Sequence, residues 1–234
     1  MAAPPSQAQS DIDFSSAITQ EEFEQFARLA AQGIYATPVD PARARGLLGF
    51  DIGVAVTAVP VDTDAAYWQH SVPDDFSVSD HVLVPRLIAS KGLSFGTISA
   101  MYAKVPDTEV QVWGASYDMP LTRGGIASPT IALRAAYSQL RGVDEFELST
   151  YGVELFLSKG FGPITPYAAA GYARHDATGI IASGGVANPI TLTDEGNMQR
   201  YTVGVKISMF IPKLVVEATQ GEERSYAAKI AIGF

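Results

Sequence analysis

Apolar residues recur at every second position through most of the chain, and this alternation limits the fold more than any other feature. In GFDIGVAVTAV, Phe50 and Ile52 fall on one face of the segment and Asp51 falls on the other. A period of two is typical of a β-strand with one apolar face and one mixed face. The sequence therefore predicts an all-β fold over residues 46–234.

The apolar content indicates a membrane barrel. The hydrophobic share is 47% and the charged share 18%, which is apolar for a soluble protein, yet no uncharged apolar run of about 18 residues could form a transmembrane helix. We predict an all-β membrane fold, a closed antiparallel up-and-down β-barrel of about ten strands, each near the roughly 9–11 residues that cross a bilayer. The predicted strands cover residues 47–60, 81–91, 94–104, 109–120, 128–141, 146–159, 164–177, 197–210, 212–220 and 223–234.

The predicted connections alternate between long and short, as in outer-membrane barrels. Residues 61–80 and 178–196 are long and polar, whereas SKGLS, KGFGPIT and FIPK are brief. We call the end of the barrel with the long connections the loop end and the end with the brief connections the turn end. An even number of strands puts the first and the last residue of the barrel domain at the turn end, where we expect the periplasm. Outward tyrosines are expected to form an aromatic belt near the loop end: Tyr102, Tyr137, Tyr151, Tyr172, Tyr201 and Tyr226.

The predicted inner face carries charges whose sign alternates between neighbouring charged strands. These lumen charges are Asp51, Arg86, Asp118, Arg134, Glu154, Lys206, Glu217 and Lys229. Because buried charges must be paired, we expect salt bridges to cross a narrow lumen. Such a layer serves either as a structural core or as the constriction of a channel.

The first 45 residues form a separate part of the chain. Residues 1 to about 17 are small and polar, and we expect them to be disordered. Thr19 and Glu22 then form a capping box, and an apolar stripe at helical spacing predicts an amphipathic helix. The stripe contains Phe23, Phe26, Ala30 and Ile34. VDPARARG is expected to be a short capped turn. The helix either lies on the periplasmic side or plugs the lumen.

The segments GFDIGVAV, STYGVELFLSKGF, PYAAAGYA and YTVGVKISM resemble small outer-membrane barrels of Gram-negative bacteria that carry an N-terminal helix. The last strand, RSYAAKIAIGF, resembles the signal read by the outer-membrane assembly machinery, with Tyr226, Ile230, Ile232 and Phe234 at its alternate positions. The resemblance implies an outer-membrane barrel with both termini in the periplasm. It implies the lipid bilayer, lipopolysaccharide and the assembly machinery as partners, and it transfers no catalytic or ligand residue.

Several functional classes are excluded or disfavoured. The absence of cysteine excludes disulfides and thiolate metal sites, and a net charge of −9 argues against nucleic acid as a partner. The start MAAPPSQAQSD has no basic region and no apolar core, so we expect a mature form of an exported protein with an added Met1.

Enzyme motifs are absent, since the chain has no GxxxxGK[ST], GxSxG or HExxH pattern. Asp74 with Asp75, and His175 with Asp176, resemble the residue pairs of omptin proteases. Adjacent strand residues face opposite ways, however, so only one member of each pair could enter a cleft. We predict a monomer with no enzymatic activity, cofactor or metal. Three functions stay open: a narrow or gated channel for small cationic or uncharged solutes, a non-conducting structural or surface-interaction barrel, and an outer-membrane enzyme.

Overall fold

The structure is a computed structural model that describes residues 12, 14–72, 80–105, 110–122, 124–125, 128–181, 189–209 and 211–233. Ten strands and two helices lie in this part of the chain. The helices are α1 (Gln20–Ile34) and α2 (Ala66–Gln69). The strands are β1 (Phe50–Pro60), β2 (His81–Leu93), β3 (Gly96–Lys104), β4 (Gln111–Pro120), β5 (Thr130–Arg141), β6 (Phe146–Ser158), β7 (Ile164–Ile181), β8 (Ile190–Ser208), β9 (Lys213–Gln220) and β10 (Arg224–Gly233).

The strands form a closed antiparallel barrel, which confirms the predicted fold. Each strand pairs with the next along the chain, and β1 pairs with β10 from Asp51 opposite Gly233 to Ala58 opposite Tyr226. Closure gives every strand two hydrogen-bonded neighbours, so the sheet has no open edge. Neither helix in the described part of the chain is both long and apolar enough to cross a membrane.

The two faces of the barrel differ as the alternation predicts. Along β1 the burial pattern alternates, with Asp51 buried and Ile52 about half exposed. Outward residues such as Leu155, Tyr172 and Val203 also leave large apolar side chains exposed around the barrel. Monomeric soluble proteins rarely expose continuous apolar patches beyond a few hundred Å², so the outer surface is built for an apolar surrounding.

The hairpin of β7 and β8 is longer than predicted. Residues 178–196 were expected to be a loop, but β7 continues to Ile181 and β8 begins at Ile190, with Thr178 opposite Thr193. The prediction was wrong because the polar composition of this segment indicated a loop. Threonine and isoleucine are β-branched and pair well across strands, so the ladder extends beyond the apolar part of the two strands.

Helix α1 lies inside the barrel mouth at the loop end. Thr19 and Glu22 form the predicted capping box. The rings of Phe23 and Phe26 pack against Phe146 of β6 with centroid distances of 6.1 and 5.5 Å. Phe14 joins this cluster and is buried. The predicted disorder up to residue 17 is therefore wrong for residues 14–17, because an aromatic side chain found partners there; residues 1–11 and 13 lie outside the described residues.

Polar contacts fix α1 at this end. The side-chain amide of Gln32 exchanges two hydrogen bonds with the backbone of Glu223, at 2.6 and 2.9 Å. Gln20 donates to the carbonyl of Thr193 in β8 at 2.8 Å. Of the two positions that the sequence left open, the periplasmic turn end and the lumen, α1 occupies the lumen.

Residues 35–45, which we call the inner segment, run through the lumen from the loop end to the turn end. This segment has no regular secondary structure, and most of it is buried. The short capped turn predicted for VDPARARG is not formed. Asp40, the predicted cap, instead binds Lys206 and Arg45 with its carboxylate, so the chain continues as an irregular segment whose polar groups are bound largely by the barrel wall.

Candidate functional site

The carboxylate of Asp40 is the centre of the contacts between the inner segment and the barrel. It accepts a hydrogen bond from Lys206 Nζ at 2.8 Å and forms an ion pair with Arg45. All three side chains are almost fully buried. Two cations around one buried carboxylate satisfy its charge and fix the middle of the inner segment.

A second buried carboxylate, Asp51, lies nearer the turn end. It pairs with Lys229 at 3.1 Å, with Lys213 at 3.3 Å and with Arg45 at 3.4 Å. Arg45 therefore contacts both Asp40 and Asp51 and links the inner segment to β1. The backbone of this region is also held, because Thr97 donates to the carbonyl of Arg43 at 2.8 Å.

Arg134 joins the barrel wall to the inner segment and has no solvent exposure. Its guanidinium donates to both carboxylate oxygens of Asp118 on the neighbouring strand, at 2.7 and 3.0 Å, and to the carbonyl of Asp40 at 2.9 Å. It also lies over the ring of Phe156, 4.3 Å from the centroid. Arginine suits this position because its planar fork makes several directed hydrogen bonds at once.

Other lumen cations bind backbone carbonyls of the N-terminal part. Arg86 donates to the carbonyls of Gly33 and Tyr35, and Lys229 donates to the carbonyl of Pro38 at 2.9 Å. A buried carbonyl without a partner is costly. The barrel wall thus supplies the donors that this irregular backbone cannot supply itself.

The remaining lumen charges surround Tyr35 and Thr37. Arg200 lies 4.0 Å from the Tyr35 ring centroid and 3.4 Å from the Glu154 carboxylate. Glu217 accepts hydrogen bonds from Tyr167 at 2.6 Å and from Thr37 at 3.3 Å. These contacts extend the network from the turn end to the middle of the barrel.

The structure places all eight predicted lumen charges on the inner face, where they are buried. Their contacts differ from the predicted salt bridges across the lumen. Asp118 pairs with Arg134 from the adjacent strand and Asp51 with Lys229 from the adjacent strand, whereas Arg86 and Lys206 contact the N-terminal part. The inner segment separates opposite walls, and the described residues form no direct ion pair between them.

Four charged residues of this network were missed by the sequence analysis. Arg200 and Lys213 share the inward parity of Lys206 and Glu217, so the period of two could have found them. Asp40 and Arg45 gave no such signal, because they lie outside the strands in a segment whose course depends on the whole barrel.

The histidines lie at the loop end. His175 Nε2 contacts Asp194 Oδ2 at 2.7 Å and is buried, whereas Asp176 is half-buried beside Arg174. His70 contacts Glu22 at 3.1 Å. The pair Asp74 and Asp75 lies outside the described residues. Within the described ranges, no group of three or more His, Cys, Asp or Glu residues could hold a metal ion.

The carboxyl group of Glu22 is the acidic member of the helix cap. The backbone N–H of Thr19 donates to it at 2.8 Å, and His70 lies on its other side. Both contacts favour the ionised form, so the hydrogen bond from Thr19, with a further contribution from His70, lowers the pKa of Glu22 below its ordinary value.

The last strand presents Tyr226, Ile230 and Ile232 on the outer face, each about half exposed. Phe234 lies outside the described residues.

Neither a protein-family model nor a curated protein sequence matches the chain. Among solved structures, the N-terminal β-barrel domain of Pseudomonas aeruginosa OprF is similar, with a TM-score of 0.38 and 14% identity over 81% of this chain and 98% of that chain. Ail, the attachment invasion locus protein of Yersinia pestis, is similar with a TM-score of 0.29 and 9% identity over 79% of this chain and 95% of that chain. Both TM-scores lie below 0.5, and the barrel assignment of this chain rests on its own strand pairing.

Proposed function

We propose that this protein is an integral outer-membrane β-barrel whose own N-terminal part closes the lumen. The observation that carries the proposal is the course of the inner segment through the barrel, with Asp40 bound by Lys206 and Arg45 and its carbonyl bound by Arg134. A folded barrel of this kind does not conduct ions until the inner segment moves.

The outer surface supports the membrane location. Large apolar side chains are exposed around the barrel, and outward tyrosines such as Tyr137, Tyr151 and Tyr226 lie on the loop-end half of their strands. Tyrosine prefers the boundary between hydrocarbon and water. We accordingly propose the lipid bilayer, lipopolysaccharide and the outer-membrane assembly machinery as partners, with the barrel acting as a monomer.

We infer that the loop end faces the cell exterior, as the longer connections do in bacterial barrels. The described N-terminal residues from Phe14 through α1 lie at this end. This orientation keeps the carboxyl end of β10 in the periplasm and places α1 at the outer side, instead of the periplasmic side considered from the sequence.

Without residues 1–44, the lumen of the barrel would carry a net positive charge. Six basic and four acidic side chains of the described strands are buried in the lumen, and a ring of cationic groups favours anions in a pore. We propose that an unplugged barrel prefers small anions over the cationic or uncharged solutes expected from the sequence.

Single-channel conductance in planar bilayers tests the proposal. The full chain is compared with a chain that lacks residues 1–44, each shown to be folded by heat-dependent gel migration. The proposal predicts silence for the full chain and discrete openings after truncation, with a reversal potential in a KCl gradient that indicates anion preference.

A second variant keeps the whole chain in case the truncated barrel does not fold. Phe23→Ser with Phe26→Ser removes the apolar contacts that hold α1 at the loop end. Because the inner segment follows directly on α1, we expect brief openings whenever the released helix pulls the inner segment out of the lumen. A matched control, Phe95→Ser, changes an exposed phenylalanine at the turn end and should stay silent. Equal conductance of the full and truncated chains, or silence of every folded variant, would contradict the proposal.

A further inference from the structure

The loop end of the lumen contains an apolar cavity of about 130 Å³ between α1, α2 and the barrel wall. The cavity lies apart from the charged contacts of the inner segment. Its helix side is formed by Phe26, Leu29 and Ile34, and α2 contributes Trp68. Among the described residues, its lining contains no charged side chain.

Valines from three strand ends form most of the wall. They occur as V-x-V pairs, in VPV, VLV and VQV, with both valines of each pair on the inner side. The pairs are Val59 and Val61, Val82 and Val84, and Val110 and Val112. Inward positions of membrane barrels are usually polar. Three apolar pairs at one end, with Leu140 beside them, therefore form a local exception to the usual pattern.

The size of the cavity argues for an occupant. Protein interiors are close-packed and leave few voids larger than a water molecule. A water molecule needs two to four polar partners, which the described lining residues do not offer, so the cavity is unsuited to water. An apolar cavity of about 150 Å³ engineered in another protein stays dry and binds benzene.

The cavity is also only partly buried. Its lining residues Ala30, Val61, Val82 and Val105 are only half-buried, whereas Val84 and Val112 are buried at its inner side. Part of the described lining therefore lies near the loop-end surface, apart from the inner segment.

We propose that this cavity is a binding site for a small, uncharged, apolar molecule about the size of a single six-membered ring. Charged ligands are excluded because no group in the described lining can pair with a charge. A larger ligand is excluded by the volume of about 130 Å³. The site does not depend on whether the barrel conducts ions.

Methyl NMR with benzene as the probe tests the site. The full chain, with labelled valine, leucine and isoleucine methyl groups, is placed in nanodiscs of lipids with deuterated acyl chains. The proposal predicts saturable shifts at the methyl groups of Val84, Val112 and Leu140, with Overhauser effects from benzene protons. Outward methyl groups of Val54 and Val203 should instead shift linearly, because benzene only partitions into the bilayer around them.

Two variants make the test specific. Val112→Phe fills the cavity and should weaken the saturable binding at least tenfold, whereas Val203→Phe on the outer face should leave it unchanged. If Val112→Phe does not fold, Leu140→Ala enlarges the cavity and should admit naphthalene, which the parent chain should refuse.

Linear shifts at the inner methyl groups, equal to those of Val54 and Val203, would overturn the proposal. In a sample with protonated lipids, acyl-chain Overhauser effects at Val84 and Val112 that benzene cannot displace would also overturn it, because the occupant would then be a lipid tail.

Discussion

The two halves of the lumen hold the N-terminal part by different physical means. At the turn end, buried ions such as Asp40, Lys206 and Arg134 bind the inner segment through short polar contacts. At the loop end, Phe23 and Phe26 hold α1 mainly through aromatic packing, and hydrogen bonds of Gln20 and Gln32 hold its two ends. The turn-end contacts are directional ion pairs, whereas the loop-end packing is mostly apolar and contains a cavity.

The two kinds of contact differ in how much movement they allow. Removing one partner of a buried ion pair lowers the folding stability by several kcal/mol, so these pairs favour one position of the inner segment. Apolar packing is not directional and tolerates rearrangement of similar volumes. We therefore expect movement to begin at the loop end and the turn end to stay closed longest.

The largest effect is expected from Arg134→Met at the charged half. The change leaves Asp118 buried without its partner, so the free energy of unfolding should fall by about 3–5 kcal/mol. Guanidinium unfolding in lipid vesicles measures it. The exposed Arg141→Met should change little. Adding Asp118→Leu to Arg134→Met should recover most of the loss, and a double variant as unstable as the single one would contradict the pairing.

A smaller effect is expected from Phe23→Ala at the apolar half. The cavity left in the aromatic cluster should lower the local stability of α1 by about 3 kcal/mol, which corresponds to roughly 100-fold faster amide exchange in the helix. Hydrogen exchange with mass spectrometry measures it. The strands should keep their protection, and Phe95→Ala serves as the control. Equal acceleration in α1 and in the strands would show that the two halves do not act separately.

The smallest effect is expected from the pH dependence of the helix cap. Because the pKa of Glu22 is lowered in the folded chain, its stabilising contribution is present above the unfolded pKa of about 4.3 and is lost as the pH falls through the folded value. Amide exchange of α1, corrected for intrinsic rates, should therefore accelerate on acidification, and Glu22→Gln should remove that acceleration. An unchanged pH profile in Glu22→Gln would contradict the assignment.

Sequence periodicity was sufficient to predict the barrel, because apolar and polar residues alternate within each strand and so identify its outer and inner faces. The same rule placed Arg134 and Lys206 on the inner face. It could not predict the contacts of Asp40 or Arg45, since these depend on where an irregular segment lies relative to ten strands. The sequence could not predict the loop-end cavity either, because a V-x-V pair has the same pattern whether its side chains contact lipid, pack in a core or line a cavity.

The path of the inner segment is tested most directly by a disulfide cross-link. The chain has no cysteine, and a Cβ at position 114 would lie 2.9 Å from the Cβ of Ala36, so a small shift reaches the roughly 3.5–4.5 Å of a disulfide. We predict that Ala36→Cys with Gly114→Cys forms an intramolecular disulfide in the folded barrel, seen as loss of both free thiols, whereas Ala36→Cys with the outward Ala115→Cys does not. Failure of the first pair to cross-link in folded protein, or equal cross-linking of both pairs, would contradict an inner segment within the lumen.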